Sequence, residues 1–247
     1  MIGIDLSGRV ALVTGGGSGI GAGIAQELAK AGATLILTGT RAKEKLQAAA
    51  DALPGEGHAA MQASVDDKDA IAALKAMVEE RFGHLDILVN NAGITKAVPH
   101  GDLDALDDEL IDRVFRINWR GSFAMVRAMR PLLDKGTDSL VVNVSSIAGT
   151  AGTGSSVAYA SSKAAMNMMT MTLARALAPK IRVLSVSPGY VDTAFLDRTP
   201  EQKEKSASAS LIRGPVTPQQ MGSAVVALAT LFPMTTGAVI PIDGGRP

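Results

Sequence analysis

The sequence predicts an α/β fold: a doubly wound parallel sheet of about seven strands with helices on both faces. Three observations predict it. Short apolar runs alternate with helical patterns from end to end, and parallel neighbours need crossover helices. The runs are apolar at consecutive positions, as strands buried on both faces are. Glycine or proline closes segment after segment, at Gly32, Pro54-Gly55, Gly83, Pro179 and Pro188-Gly189.

In chain order, residues 9–14 form the first apolar run and lead into Gly15-Gly16-Gly17-Ser18-Gly19-Ile20-Gly21. Ile20, Ile24, Ala25, Leu28 and Ala31 then recur at the spacing of one buried helical stripe. Strands follow at 34–38 and 58–62, with a polar-faced helix at 42–53 between them. Residues 67–82 read as a helix buried through Ile71, Leu74, Met77 and Val78. The fourth strand, 85–89, runs into Asn90-Asn91-Ala92-Gly93 and a loop at 95–104. A helical pattern covers 106–133, with a kink expected near Gly121. The fifth strand, 140–144, is followed by Ser145-Ser146 and a Gly-rich stretch at 148–154. One long helix should cover 157–177, and the sixth strand 182–186. Residues 192–215 are polar, Ser-rich and without strong periodicity, which suits a cover over a site better than a domain boundary. A last helix begins at Thr217-Pro218, and 238–242 forms the final strand before Asp243-Gly244-Gly245. No linker, repeat or low-complexity segment appears, so residues 1–247 are expected to form one domain.

Composition excludes several classes. Of 247 residues 47% are hydrophobic, enough for a sizeable core. Lys+Arg and Asp+Glu balance at 24 each, leaving no charge argument for nucleic acid or an anionic membrane. Cysteine is absent, which removes disulfides and thiolate sites and fits a cytoplasmic setting. The N-terminus lacks a secretory pattern, and no run is apolar enough to span a bilayer. Aromatics make up 3% of the chain, too few for stacking on single-stranded nucleic acid. The three histidines, His58, His84 and His100, show no metal-ligand spacing, so no metal is expected.

Two stretches carry chemistry. The glycine loop sits between a strand and a helix, where outward-pointing N–H groups and the helix dipole attract phosphate. Its spacing predicts a dinucleotide site, and no Lys-Ser/Thr pair follows to make a nucleoside-triphosphate loop. The end of the second strand should meet the adenosine ribose, where an acid favours NAD and an arginine a 2′-phosphate. Thr40-Arg41 stands there, predicting NADP(H) over NAD(H). The second stretch is Tyr159-Ala160-Ser161-Ser162-Lys163. On a helix, Tyr159 and Lys163 share one face. A nearby ammonium favours a phenolate and suits the phenol to proton exchange with a carbonyl or hydroxyl oxygen.

Taken in order, Thr14-Gly15-x-x-x-Gly19-Ile20-Gly21, Asn90-Asn91-Ala92-Gly93, Tyr159-x-x-x-Lys163 and Pro188-Gly189 resemble the short-chain dehydrogenase/reductase family over essentially the whole chain. The resemblance implies a catalytic set of Asn118, Ser146, Tyr159 and Lys163. Ser146 is selected over Ser145 by its distance of thirteen residues from the tyrosine. It implies that Ser146 holds the substrate oxygen and Tyr159 exchanges its proton. Lys163 lowers the tyrosine pKa and binds the nicotinamide ribose, and Asn118 anchors a relay water. The implied cofactor contacts are Gly15, Gly17, Ser18, Gly19, Ile20, Gly21, Thr40, Arg41, Ser64, Val65, Asn90, Ala92, Gly93, Tyr159, Lys163, Pro188, Gly189, Val191 and Thr193. Two positions depart from the family pattern. Ser64 stands where an adenine-contacting aspartate is common, and Ser18 where NADP-preferring members often carry a basic residue.

The implied reaction interconverts a carbonyl and a secondary alcohol. Asn91-Ala92-Gly93-Ile94-Thr95 is similar to 3-oxoacyl-carrier-protein reductases, but Lys96-Ala97-Val98-Pro99-His100 is not, and no basic patch suits an acidic carrier. A small ketone, sugar-derived or cyclic alcohol is therefore expected, with a 3-oxoacyl thioester as the alternative. A non-catalytic nucleotide-binding sensor or scaffold is the alternative of another class. Phe195, Leu196, Leu211 and Ile212 are expected to line the cover. A homotetramer is implied, joined through the 106–133 and 157–177 helices, with Met125, Met129, Met166, Met168, Met169 and Met171 as candidate contacts and 244–247 at another interface.

Overall fold

The computed structural model describes residues 3–197, 199–212 and 214–245. Seven strands lie in one sheet: β1 (Val10–Thr14), β2 (Thr34–Gly39), β3 (Ala59–Gln62), β4 (Ile87–Asn90), β5 (Ser139–Val144), β6 (Ile181–Pro188) and β7 (Val239–Ile242). Their order is β3-β2-β1-β4-β5-β6-β7. Every pairing is parallel, for example Val13↔Leu37 and Val13↔Val89 on the two sides of β1. The strands are apolar throughout because both faces are covered. Along β1, Ala11 and Val13 enter the core beneath one helical layer, and Val10 and Leu12 the core beneath the other.

The first layer holds α1 (Gly19–Lys30), α2 (Lys43–Asp51) and α9 (Pro218–Thr230), through Ile24, Leu28, Ala50, Met221 and Val225. α1 and α9 cross at a pair of glycines. A Cβ on Gly222 would lie 2.6 Å from the Gly23 carbonyl oxygen, so neither position has room for a side chain. The second layer holds α3 (Lys68–Phe82), α5 (Ser122–Leu133) and α7 (Val157–Leu177), through Ile71, Leu74, Met125, Met129 and Ala174. At the sheet's N-terminal edge the buried Asp86 carboxylate accepts from the N–H groups of Val10 and Thr137, each at 2.7 Å. That ties β1, β4 and the approach to β5 together. Among the described residues no helix is long and apolar enough to cross a membrane.

Three segments differ from expectation. The 106–133 helix is divided. Asp107 caps α4 (Asp108–Phe115), a π-helical turn spans Arg116–Gly121, and α5 follows. The π turn ends at Gly121, against which the loop after β3 packs: a Cβ there would lie 2.6 Å from Val65 Cγ2. The Gly-rich stretch after β5 contains a short helix, α6 (Ala148–Ala151), pressed on α7. A Cβ on Gly149 would lie 2.7 Å from the Lys163 carbonyl carbon. Residues 192–215 contain α8 (Pro200–Ser208), opened by a capping box in which the Thr199 hydroxyl accepts from Gln202 N–H and the Gln202 side chain accepts from Thr199 N–H. Arg198 and Arg213 in this stretch, and Arg246 and Pro247 in the expected C-terminal interface, lie outside the described residues.

Candidate active site

The strand order reverses between β1 and β4, and a crevice at the C-terminal ends of such strands is where this architecture holds ligands. The glycine loop leaves β1 into it. Gly15 has φ 66° and its N–H donates to the Thr38 carbonyl at 2.6 Å, turning the chain sharply over β2. Gly19 has φ 52° and opens α1. A Cβ at Gly21 would lie 2.5 Å from Asn91 Nδ2 and collide with the Gly15 carbonyl, so the helix start can sit close under the loop only as glycine. Ser18 occupies the N-cap position with no side-chain capping bond. Thr193 lies across the loop, its Cγ2 3.5 Å from where a Gly19 Cβ would stand. Arg41 is exposed beside the loop, its Cδ 3.6 Å from a Gly17 Cβ, and Thr40 is exposed next to it. These glycines leave a backbone-lined cradle with the Arg41 side chain at its β2 rim, which fits a dinucleotide pyrophosphate.

Asn91 and Thr14 hold the cradle, and the sequence reading assigned neither a role. Asn91 Nδ2 donates to the carbonyls of Thr14 at 2.9 Å and Gly15 at 3.2 Å. The Thr14 hydroxyl accepts from the N–H groups of Asn91 and Ala92. The Asn90 side chain turns into the core, where Nδ2 donates to Asn143 Oδ1 at 2.9 Å across the paired strands, so only its backbone can face the crevice. Val65 likewise packs inward on Gly121, and Ile20 packs against the core. Val191 bridges to Val216. Gly189 closes against Asp243, 3.0 Å from a would-be Cβ, and its N–H donates to Ile242. The Pro188 carbonyl accepts from Ile147 N–H, fixing the turn next to Ser146.

On the other side of the crevice, the first turns of α7 present Tyr159 and Lys163. Ser156 caps this helix, accepting from Tyr159 N–H at 3.2 Å. Ser146 hydrogen-bonds the phenol, and its oxygen accepts from Ala148 N–H at 3.2 Å. Burial pushes the Tyr159 phenol up to about 12, and the Ser146 bond opposes this. Lys163 is 4% exposed, and its Nζ donates to the Val144 carbonyl at 2.8 Å. It lies 5.7 Å from the Tyr159 ring centroid. Burial brings the lysine down to about 8.

Asn118, in the π turn, is fully buried. Its Oδ1 accepts from Ile94 N–H at 2.8 Å, and its Nδ2 donates to the Ile94 carbonyl at 3.1 Å and to Ser162 Oγ at 3.0 Å. Ser162 passes the connection on to the Tyr159 carbonyl. Both amide hydrogens are thus spent on protein, and only a lone pair of Oδ1 remains for water. A Cβ on Gly93 would stand 3.2 Å from that oxygen and 3.8 Å from Lys163 Nζ, so the missing side chain leaves a space both groups face. The Phe195 ring covers Tyr159 at 6.1 Å. Leu211 and Ile212, expected as lining, are about 80% exposed.

A glycine cradle facing a half-buried hydroxyl and phenol and a buried ammonium is the arrangement of a nicotinamide-dependent oxidoreductase. The chain belongs to the short-chain dehydrogenase family, whose model matches residues 9–204. It is 36% identical over 239 residues to a granaticin polyketide synthase putative ketoacyl reductase of Streptomyces violaceoruber, covering 96% of this chain and 95% of that one. It is also 36% identical, over 96% of each chain, to a cis-4-hydroxycyclohexanecarboxylate dehydrogenase of Sinomonas cyclohexanicum. Among solved structures it superposes on a 3-ketoacyl-(acyl-carrier-protein) reductase of Brucella melitensis complexed with NADH. The TM-score is 0.89 and the identity 31%, over 98% of this chain and 99% of that one. A Pseudomonas aeruginosa RhlG/NADP complex gives a TM-score of 0.90 at 29% identity, over 100% of this chain and 99% of the other.

Proposed function

We propose that the chain interconverts a carbonyl and a secondary alcohol, with NADP(H) preferred and Tyr159 as the general acid/base. The observation that carries this reading is the convergence of the Ser146 hydroxyl, the Tyr159 phenol and the Lys163 ammonium beside the glycine crevice. A bound nicotinamide supplies the hydride. Ser146 orients the substrate oxygen by a hydrogen bond. In reduction Tyr159 gives its proton to that oxygen, and Lys163 stabilises the phenolate left behind. In oxidation the phenolate takes the proton back. The space above Gly93, between Asn118 Oδ1 and Lys163 Nζ, suits a water that resupplies it.

The NADP(H) preference rests on Arg41 at the rim of the cradle. A small ketone, sugar-derived or cyclic alcohol is the favoured substrate, supported by the cis-4-hydroxycyclohexanecarboxylate dehydrogenase relative and by the aromatic contact of Phe195 with Tyr159. A 3-oxoacyl thioester is the second reading, favoured by the ketoacyl reductase relatives. Residues 192–215 act as the substrate cover of a single catalytic domain. Lys203 Nζ at 3.0 Å and Tyr190 Oη at 3.1 Å both reach Asp192 Oδ1, fastening α8 to the end of β6.

A cytoplasmic homotetramer completes the proposal. Of the six methionines expected at an interface, Met125, Met129, Met166 and Met169 are core, while Met168 and Met171 are exposed on α7 and remain available. A monomeric mass in light scattering would rule the tetramer out. The experiment that tests the function is a panel of cyclic and linear ketones, their alcohols and 3-oxoacyl thioesters, run with NADPH and NADH. Absence of turnover with every carbonyl and alcohol would overturn the reading.

A further inference from the structure

We propose that a cavity behind the Ser146 turn is a second small-molecule site, one that takes a protonated amine carried on a compact apolar body. The site is separate from the catalytic crevice and does not depend on the oxidoreductase reading.

The cavity follows from the edge of the sheet. β7 is the last strand, and alternate residues along it face opposite sides. Ile240 and Ile242 pack on the core that holds α1 and α9. Val239, Pro241 and Asp243 point to the other face. There they line a cavity of about 510 Å³ with Ile147, ahead of α6, and Ala209, at the end of α8. That volume lies within the range of about 300–1,000 Å³ usual for small-molecule sites. None of the lining residues belongs to the set of Asn118, Ser146, Tyr159 and Lys163.

One group there calls for a ligand. Ser187 pairs with Pro241 across β6 and β7, lines the cavity and is 3% exposed. Among the described residues its Oγ has no hydrogen-bond partner. Ser185, two residues earlier on the same face, donates to the Asn143 carbonyl at 3.1 Å. A buried hydroxyl without such a partner costs free energy that a bound polar group would recover.

The other polar groups accept. Asp243 Oδ1 accepts from Gly245 N–H at 2.9 Å, which leaves Oδ2 for a ligand. Thr150 on the rim spends its hydrogen on the Ile147 carbonyl at 3.1 Å and keeps its lone pairs. Asp243 is the one charged residue among the described lining. An ammonium has three donors and no acceptor, so it matches this set, whereas a carboxylate or phosphate would face Asp243 with like charge. The apolar walls suit a hydrocarbon body.

The occupant would touch both flanks of the reaction site. Ile147 adjoins Ser146 and Ser187 adjoins Pro188, and Ile147 N–H donates to the Pro188 carbonyl at 3.1 Å.

The test uses cyclohexylamine, cyclohexanol and cyclohexanecarboxylate, bodies of similar size that differ in charge. Each is titrated into the intact protein near neutral pH and followed by NMR, after circular dichroism has shown each variant folded. Binding at this site is the part removed by Ala151→Trp, on the exposed rim. By that measure the wild type should bind the amine about tenfold tighter than the alcohol, and the carboxylate not at all. Saturating NADPH should not displace the amine. Asp243→Asn keeps an oxygen for Gly245 N–H and removes the charge. It should weaken the amine about tenfold and the alcohol by less than about threefold. Ser187→Ala should weaken both and, having lost an unpartnered group, should not lower the urea midpoint of the free protein. Amine binding that survives Ala151→Trp, is unchanged in Asp243→Asn and Ser187→Ala, or is displaced by NADPH would overturn the proposal. So would an amine that binds no tighter than the alcohol, or not at all.

Discussion

Asn118 and Ile94 are paired twice, side chain to backbone, as neighbouring strands pair backbone to backbone: Ile94 N–H to Oδ1 at 2.8 Å and Nδ2 to the Ile94 carbonyl at 3.1 Å. A side chain therefore fastens the loop after β4 to the π turn, and through Ser162 to the carbonyl of Tyr159. Asn118→Asp sets a carboxylate oxygen against the Ile94 carbonyl in a buried site. It should lower stability by about 2–3 kcal/mol, read as a shifted urea midpoint at constant slope. An unchanged midpoint would show that the pairing contributes nothing.

Tyr159→Phe removes the proton donor and keeps the ring that packs under Phe195. Turnover should fall by about 10²–10⁴, with cofactor affinity within a few-fold of wild type by calorimetry. Retained turnover would move the proton transfer elsewhere.

Lys163 gives two opposite outcomes. Its ammonium is present below about 8 and lost above it, while the phenol stays protonated up to about 12. The kcat/KM for reduction should be level near neutrality and fall as pH rises through 8. Its folded pKa is lowered from 10.5, so the folded state holds fewer protons than the unfolded one between about 8 and 10.5. Stability should therefore rise with pH across that window, because the cost of burying the charge is present below it and relieved above. Lys163→Met should remove the cost and raise stability by about 2 kcal/mol while abolishing turnover. A less stable variant would show that the bond to Val144 outweighs the burial.

Arg41→Ala should weaken NADPH binding by at least about tenfold and leave NADH within twofold to threefold of wild type. Equal losses would show that Arg41 does not read the phosphate.

Much of the fold is legible in the sequence. Strands buried on both faces are written as apolar runs, and the 157–177 helix stops short of Pro179, while its Ser156 cap emerges only in the structure. A kink near Gly121 was expected, but not the π turn, whose last residue packs against Val65 from a distant part of the chain. α6 depends likewise on Gly149 lying against α7. α8 was missed for want of an apolar stripe, although Thr199-Pro200-x-Gln202 spelled out its cap. The candidate site residues were assigned from motif order and the family resemblance. Their supports, Asn91 and Ser162, were not, since each acts through a polar partner that only the fold brings near.

The end of the chain has a practical consequence. Ser210 Oγ and Ile212 N–H both donate to the Gly244 carbonyl, at 3.0 and 3.1 Å, and Gly244 and Gly245 hold φ near 70° to make the turn. The far end of the proposed substrate cover is thus moored to Gly244. A purification tag or fusion partner joined close after it would tug on that segment. One joined ahead of Leu6, whose N–H is anchored to the Ala31 carbonyl, would sit at the opposite edge of the sheet. Assays of substrate range belong on protein tagged at that end.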